Sequence, residues 1–267
     1  MRFVCGKIGA MEPVELLARL ITAADRVVVF TGAGISTESG IPDFRSPGGI
    51  WDTFDPDDFT YQKFVTSLET RRKQWQLLRL GAIITGIEPN PAHYAIAALY
   101  SLGKLDCVIT QNIDNLHQRA GVPDERVFEL HGNMNWARCL ECHHRFPMEE
   151  IVRGMKEEDE VPGCPHCQGM LKPDVVLFGE QLPRETLAEA TRRSRNCDLF
   201  IVVGSTLIVY PAAYMPLYAR DAGARLAIVN LTETDLDRDA AVVIHEKAAE
   251  TLSRVVEKVR QKLPPRK

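Results

Sequence analysis

The 267-residue sequence has no long apolar run and no excess of charge of one sign. Its longer apolar runs, such as residues 94–100 and Leu199–Val203, fall far short of the roughly 20 residues that a membrane-spanning helix needs. Thirty-two Lys and Arg stand against 36 Asp and Glu, giving a net charge of −4. This balance disfavours a protein that coats nucleic acid or anionic lipid. Because Lys7, Glu12 and Pro13 interrupt any secretory core, we predict a cytoplasmic protein that binds neither membrane nor nucleic acid.

The sequence also lacks the even set of cysteines that a disulfide framework requires. It has seven, and without an export signal they are expected to be reduced. Four of them form two pairs, Cys139-x2-Cys142 and Cys164-x2-Cys167, separated by 21 residues. The solitary cysteines are predicted to be small buried groups.

Hydrophobic residues make up 45% of the chain and charged residues 25%, as in ordinary globular proteins. Short apolar strands alternate with helices, which predicts a doubly wound α/β fold with a Rossmann-like parallel sheet. The predicted strands are 27–30, 105–110, 127–130, 174–178, 199–204, 225–230 and 242–245. Two stretches break the alternation, a helical insert at 52–85 and a cysteine-bearing insert at 137–173. We predict that these inserts form a small domain, and that residues 1–51, 86–136 and 174–267 form the main one.

The four paired cysteines have the spacing of a structural zinc site. Two Cys-x2-Cys turns supply a tetrahedral sulfur cage, and four protein ligands leave no position for water or substrate. The metal is therefore expected to stabilise the insert rather than to catalyse. Iron–sulfur ligation and four unrelated cysteines are the alternatives. His143, His144 and His166 lie beside the cysteines and are predicted to be exposed.

A glycine-rich loop follows the first predicted strand. It reads Thr31-Gly32-Ala33-Gly34-Ile35-Ser36-Thr37. Such a loop can bring backbone N–H groups against a pyrophosphate, with hydroxyl donors from Ser36 and Thr37. The common dinucleotide fingerprint has glycine where Thr37 stands and an acidic residue about 20 positions further on, which disfavours an ordinary dehydrogenase. A tight turn without a ligand is the alternative.

The longer string GAGISTESGIPDFR, residues 32–45, resembles the signature of the sirtuins, the NAD-dependent protein deacylases. Further blocks agree with that resemblance: residues 111–117 (QNIDNLH), His131-Gly132, Gly204-Ser205-Thr206 and Asn230. The likeness extends over about residues 14–262. It implies that NAD is a co-substrate and that nicotinamide and O-acyl-ADP-ribose are products.

The resemblance implies catalytic roles for three polar residues at strand ends. His131 matches the histidine that draws a proton from a ribose hydroxyl, and an imidazole with a pKa near 6.5 can accept it at neutral pH. Asn112 and Asp114 correspond to residues that hold the nicotinamide ribose and the carboxamide. Without the surrounding motifs, each would be an ordinary turn or core residue. Ordinary structural roles are predicted for His93, His117 and His245.

The resemblance also implies an NAD-binding set and a substrate-binding segment. Phe44 would shield the reacting face and Arg45 would lie near the phosphates. The implied NAD-binding residues are Gly32, Ala33, Thr37, Phe44, Arg45, Gln111, Ile113, Asp114, His131, Ser205, Thr206, Asn230, Lys247 and Ala248. The segment Phe178, Gly179 and Glu180 would pair with the backbone of an acyl-lysine protein or peptide as an added strand. We expect a monomer.

Two departures from the family's patterns bear on the acyl group. Members that take succinyl or malonyl groups carry a Tyr-x-x-Arg pair, where this chain has Leu68 and Arg71. They also tend to have alanine at the position of Thr37. Both differences favour neutral acyl groups, acetyl first and longer chains possible. The alternatives are a mono-ADP-ribosyltransferase or NAD hydrolase using the same site, and a non-catalytic NAD-sensing module.

Overall fold

The computed structural model describes residues 11–43, 48, 49, 52, 54–79, 86–157 and 160–263. Its strands form a six-stranded parallel sheet, in the order β3-β2-β1-β7-β8-β9, and a three-stranded antiparallel sheet, in the order β5-β4-β6. The strands are β1 (Val27–Thr31), β2 (Leu105–Thr110), β3 (Val127–Glu129), β4 (Gly132–Cys139), β5 (Arg145–Pro147), β6 (Leu171–Val175), β7 (Leu199–Val203), β8 (Arg225–Val229) and β9 (Val242–Ile244). This confirms the predicted parallel, doubly wound sheet.

Helices cover both faces of the parallel sheet. The helices of the described residues are α1 (Pro13–Ala23), α2 (Tyr61–Thr66), α3 (Leu68–Arg79), α4 (Pro91–Ser101), α5 (Leu116–Arg119), α6 (Met148–Gly154), α7 (Arg184–Arg195), α8 (Tyr214–Asp221) and α9 (Ala248–Lys262). Helices α1, α4 and α9 pack on one face, and α7 and α8 pack on the other. Strands β1 and β7 are buried at every position, so both of their faces select apolar side chains.

The strand predicted at 174–178 is wrong in its bounds. The observed strand β6 is Leu171–Val175, and it pairs with β4 in the antiparallel sheet. The apolar run at 175–178 suggested a strand that begins later. The charged Lys172 interrupts the apolar pattern of the observed strand. In the structure Lys172 is buried, and its ammonium lies 3.0 Å from the Glu180 carboxylate. A lysine paired in this way can occupy a buried strand position.

The two predicted inserts contribute to one apolar cluster. Trp75 of α3, in the first insert, is fully buried in the same cluster as Cys139, Ile151 and Leu171 of the second. The division into a main and a small domain stays a prediction. Within the described residues, no helix is both long enough and apolar enough to span a membrane.

Candidate functional site

The ends of neighbouring parallel strands bring the predicted site loops together. Thr31 at the end of β1 lies level with Thr110 of β2 and Val203 of β7. Backbone bonds extend this register beyond the strands, from Gln111 N–H to Thr31 and from Gly32 N–H to Val203, at 3.0 and 3.1 Å. The carboxyl ends of parallel strands are where open α/β sheets bind ligands.

The glycines of the first loop are required by another loop. A Cβ on Gly34 would lie 2.8 Å from the Gly204 carbonyl oxygen, and one on Gly204 would lie 2.3 Å from the Ile35 nitrogen. Gly204 also has a φ of +61°, which glycine adopts without strain. The loops after β1 and β7 therefore pack backbone against backbone. Direct approach of Gly32 and Gly34 to a pyrophosphate stays a prediction.

Two short 3-10 turns, Ala33–Ile35 and Thr37–Ser39, lie within and directly after the glycine-rich loop. Side-chain donors bond to the backbone carbonyls of this segment, which backbone N–H groups would bond in a regular helix. The Thr37 hydroxyl donates to the Gly34 carbonyl at 3.0 Å, and the Asn90 amide donates to the Ile35 carbonyl at 2.7 Å. Side-chain bonds of this kind compete with a regular helix. The second role of Asn90, beyond capping α4, has no signal in its own neighbourhood of the sequence.

Three buried polar side chains connect the loops after β1 and β2. The Ser36 hydroxyl donates to Asp114 Oδ2 at 2.7 Å, and the Asn112 amide donates to Ser36 Oγ at 3.1 Å and to the Gly32 carbonyl at 3.1 Å. Burial raises the pKa of Asp114, while N–H donation from Leu116 and the Ser36 hydroxyl lower it. Ser36 is therefore part of this site. Its position beside the glycines was the one signal for this role in the sequence.

The surroundings of His131 fix its tautomer. Its Nδ1 lies 2.9 Å from the backbone oxygen of Gln111. A carbonyl only accepts, so Nδ1 carries the proton and Nε2 presents a lone pair when the ring is neutral. Burial lowers the pKa of His131, with the Gln111 carbonyl acting in the opposite direction, so the ring is neutral at pH 7. The geometry gives this histidine a free basic nitrogen.

Gln111 also connects His131 with the loop after β7. Its amide Nε2 donates to Ser205 Oγ at 2.8 Å, and Ser205 is buried while Thr206 is exposed. The residues after β2, β3 and β7 therefore form one bonded arrangement. Ala33 and Thr37 lie on the loop after β1, and Ile113 lies on the loop after β2.

The predicted NAD-binding residues Asn230, Lys247 and Ala248 lie further along the sheet. Asn230 follows β8, and its amide donates to the Thr232 carbonyl at 2.8 Å. Its own carbonyl oxygen lies 2.9 Å from His245 Nδ1, which gives that histidine a structural partner. Lys247 is exposed and Ala248 is buried at the start of α9. Glu38 connects this helix to the first loop by accepting from the Ala249 N–H at 2.9 Å, a contact that the sequence did not indicate.

The remaining predicted site residues are Phe44 and Arg45 and the substrate segment at 178–180. Phe44 and Arg45 lie outside the described residues. Phe178 and Gly179 are exposed, and the backbone N–H and C=O of Phe178 bond to Phe59 and Tyr61 at 3.0 and 2.9 Å. Glu180 accepts from the Leu177 N–H at 3.0 Å and thereby closes the turn. Strand addition by a peptide at this segment stays a prediction.

The four paired cysteines converge as predicted. Their sulfur atoms all lie within 4.8 Å of one another. Two separations, Cys139 to Cys167 at 3.5 Å and Cys142 to Cys164 at 3.7 Å, are near the roughly 3.8 Å edge of a tetrahedron with zinc–sulfur bonds of about 2.3 Å. The donor set therefore fits a structural zinc ion. The described solitary cysteines, Cys107 and Cys197, are buried, as expected.

The two cysteine turns are built alike. In each, the first cysteine's N–H bonds to the carbonyl five residues on, and its own carbonyl accepts from the N–H four residues on. The residue after the second cysteine, His143 or Gln168, has a positive φ of 60° or 61°. Because each turn forms its own backbone bonds, the cage needs only to bring the two turns together.

A polar cleft at the opposite end of the sheet contains none of the predicted site residues. It is lined by Asp25, Arg26, Tyr100, Ser101, Gly103, Leu105, Asp106 and Arg126, near the amino ends of β1, β2 and β3. Although it is larger than the apolar pocket beside β6, we assign the site to the carboxyl ends, where the loops and polar side chains converge.

The loops converge at the carboxyl ends of a parallel sheet, which is where α/β proteins of the nucleotide-binding class take their ligands. The four-cysteine cage forms a separate structural metal module. The profile of the Sir2 family matches residues 32–211. The chain belongs to the Sir2 family.

Similar proteins extend over nearly the whole chain. It is 45% identical over 240 residues to NAD-dependent protein deacetylase 1 of Bradyrhizobium diazoefficiens, covering 90% of this chain and 93% of that one. It is 44% identical over 255 residues to NAD-dependent protein deacylase 2 of Archaeoglobus fulgidus, covering 94% and 97%.

Solved Sir2 structures have the same fold. A complex of Sir2 with a deacetylated p53 peptide and 3′-O-acetyl-ADP-ribose is 38% identical, with a TM-score of 0.83 and coverage of 93% and 98%. A Sir2 complex with a p53 peptide and NAD⁺ is 37% identical, with a TM-score of 0.81 and coverage of 94% and 100%. A Sir2 enzyme bound to a myristoylated histone peptide is 40% identical, with a TM-score of 0.74 and coverage of 93% and 97%.

Proposed function

We propose that this chain is an NAD-dependent protein-lysine deacylase that removes neutral acyl groups, acetyl first. The observation that carries the proposal is the state of His131. Its Nδ1 proton is held by the Gln111 carbonyl, and its Nε2 is basic, at a sheet edge shared with Asn112 and Ser205. The family membership and the named activities of the relatives support the same reaction.

His131 acts as the general base in this proposal. Its Nε2 accepts a proton from a ribose hydroxyl, and the Gln111 carbonyl holds the ring in the required tautomer as charge develops. NAD supplies a cleavable bond between ribose and nicotinamide, and the ADP-ribose that accepts the acyl group. Asn112 and Asp114 hold polar groups of that substrate. Their shared hydroxyl partner Ser36 keeps both side chains from rotating.

The NAD-binding set extends from the first loop to α9. It comprises Gly32, Ala33, Thr37, Phe44, Arg45, Gln111, Ile113, Asp114, His131, Ser205, Thr206, Asn230, Lys247 and Ala248. Zinc has a separate role: Cys139, Cys142, Cys164 and Cys167 hold it, and it stabilises the module that borders the substrate segment. Cytoplasmic location and a monomeric state remain predictions.

Arg71 and a nearby apolar pocket support the proposed preference for neutral acyl groups. The Arg71 guanidinium donates to the Phe64 and Val65 carbonyls at 2.8 and 3.1 Å, so it caps α2. Leu68 stands where acidic-acyl enzymes have tyrosine, and its side chain is exposed. A pocket beside β6 is lined by Phe59, Gln74, Leu77, Leu78, Met134, Pro173, Val175 and Leu177. Such a mainly apolar lining suits a hydrocarbon chain and disfavours a carboxylate.

Peptide recognition involves the segment Phe178, Gly179 and Glu180, of which the first two residues are exposed. The N–H and C=O of Phe178 bond to residues 59 and 61, which supports the turn from the insert side. An acyl-lysine peptide would lie along Gly179 and place its modified side chain toward the apolar pocket. Main-chain pairing of this kind makes little demand on peptide sequence.

The test is incubation with NAD and peptides bearing acetyl-, myristoyl- or succinyl-lysine, followed by mass spectrometry of both products. We expect free lysine and O-acyl-ADP-ribose with the neutral groups, and much less product with succinyl. His131→Ala should lower kcat/KM by about 10²–10⁴-fold, the usual contribution of a general base. The matched control is His143→Asn, at an exposed position of the cysteine-bearing insert (residues 137–173), called the cysteine module below. This variant should keep full activity.

Two outcomes would contradict the proposal. ADP-ribosylated protein or free ADP-ribose without lysine release would favour the transferase or hydrolase alternative. Near-normal turnover by His131→Ala would show that another group is the base.

A further inference from the structure

A second cluster of metal-binding side chains lies against the cysteine cage. Cys142 Sγ and a ring nitrogen of each of His144 and His166 lie within 4.8 Å of one another. The two imidazole rings are 4.5 Å apart between centroids, and both histidines are exposed. Among the described residues, it is the second group of three or more potential ligands, and it shares Cys142 with the four-cysteine cage.

The donor types in this cluster suit a borderline divalent ion. Imidazole nitrogen and thiolate sulfur are the ligands that zinc prefers, at about 2.0–2.1 and 2.3 Å. Ligands of one tetrahedral ion lie about 3.3–3.8 Å apart, so movements of about 1 Å by the imidazoles would complete the geometry. Exposed side chains can make such movements without disturbing a core. A thiolate sulfur also has lone pairs enough to bridge two ions, so Cys142 need not leave the cage.

The cluster arises from the way the two cysteine turns face each other. His144 comes two residues after Cys142 in one turn, and His166 stands between Cys164 and Cys167 in the other. Neither histidine is near the other in sequence. The sulfur cage brings the turns together, and that same approach places the imidazoles side by side on its outer surface.

We propose that His144, His166 and the thiolate of Cys142 form a second metal site on the outside of the cage. It binds one borderline divalent ion, such as Zn²⁺, and leaves its remaining coordination position to solvent. Three protein ligands and an open position define an exchangeable site, in contrast to the closed structural cage. The proposal is independent of the catalytic reaction, because none of the three residues belongs to the NAD-binding set.

The test starts from full-length protein that holds one equivalent of zinc. Titration with Zn²⁺ is followed by calorimetry, and titration with Co²⁺ by absorption spectroscopy, with elemental analysis to show that the first zinc is retained. We expect a second equivalent of either ion. The cobalt form should show a thiolate-to-metal charge-transfer band, since Cys142 would be the sulfur ligand.

Variants separate this site from adventitious binding. His144→Ala and His166→Ala should each weaken the second equivalent by at least about tenfold, the smaller loss expected even for an outer-sphere partner. His143→Asn should match the unmodified chain, because asparagine tolerates the positive φ at that position. All of these proteins should retain the first equivalent of zinc.

The proposal is overturned by a chain that binds only one equivalent, or by a second equivalent whose affinity is unchanged in both histidine variants. A second cobalt ion without the charge-transfer band would also overturn it, because that ion would not be bound to Cys142.

Discussion

The carboxyl end of the parallel sheet and the cysteine module are held in place by different forces. At the sheet, fully buried strands place the loops, and Gly34 and Gly204 meet backbone to backbone. In the module, the apolar cluster is small, and two of its buried members are the cysteines Cys139 and Cys164. Hydrophobic burial therefore holds the site loops in place, whereas the module is expected to depend on its metal.

Metal removal is expected to have the largest effect on this comparison. Cys164→Ser, or chelation of the unmodified chain, should unfold the module, because zinc contributes on the order of 10 kcal/mol in small modules. Hydrogen exchange should show loss of protection in β4 and β6, while β1, β2 and β7 stay protected. In a Trp51→Phe background the fluorescence reports on the module, since Trp75 and Trp136 are then the remaining tryptophans.

Cys197→Ser is the control for that experiment, because Cys197 is buried outside the cage. The Cys197→Ser variant should retain its zinc. Equal loss of protection in both sheets after chelation would contradict this expectation, because the parallel sheet would then depend on the metal as well.

A smaller effect is expected where the two site loops touch. Gly204→Ala should lower the free energy of unfolding by about 3 kcal/mol, because its Cβ would lie 2.3 Å from the Ile35 backbone nitrogen and its φ is positive. Urea denaturation measures the change. Gly40→Ala is the matched control: Gly40 also has a positive φ, but nothing lies within 4 Å of a built Cβ, so about 1–2 kcal/mol is expected. Equal losses would show that the loop contact is not tight.

The smallest effect concerns the histidines of the two regions. His93 and His117 are buried, with ring centroids 5.0 Å apart, whereas His144 and His166 are exposed. Burial lowers the pKa of His93 to about 4 and that of His117 well below its usual value. The neutral rings therefore stabilise the folded state above pH 6.5, and this stabilisation is lost as the pH falls from 6.5 toward 4.

His93→Gln should remove one of these titrations. Between pH 7 and pH 5 the unmodified chain should lose about 2 kcal/mol more unfolding free energy than the variant, as measured by urea denaturation at both pH values. An identical pH dependence in His93→Gln would mean that His93 is not held neutral in the fold.

The parallel strands could be predicted closely because β1 and β7 are buried at every position and the others are mainly apolar. Leu105–Thr110 was predicted with its observed bounds, and the strand at 199–204 ends one residue earlier. The strand at 171–175 was displaced because Lys172 interrupts its apolar pattern. The partner Glu180, eight residues further on, and the carbonyls of Pro173 and Val175 make that lysine compatible with burial.

The sequence by itself determined the parallel sheet and the cysteine cage, because strand burial and metal ligation leave patterns of short range along the chain. The roles of the NAD-binding and catalytic residues stay predictions that rest on the family's motifs. The tertiary structure alone decided which nitrogen of His131 is free, why Gly34 and Gly204 are glycines, and that His144 meets His166. Each of these depends on groups distant in sequence that folding places within a few ångströms. No local pattern of residues encodes such a distance.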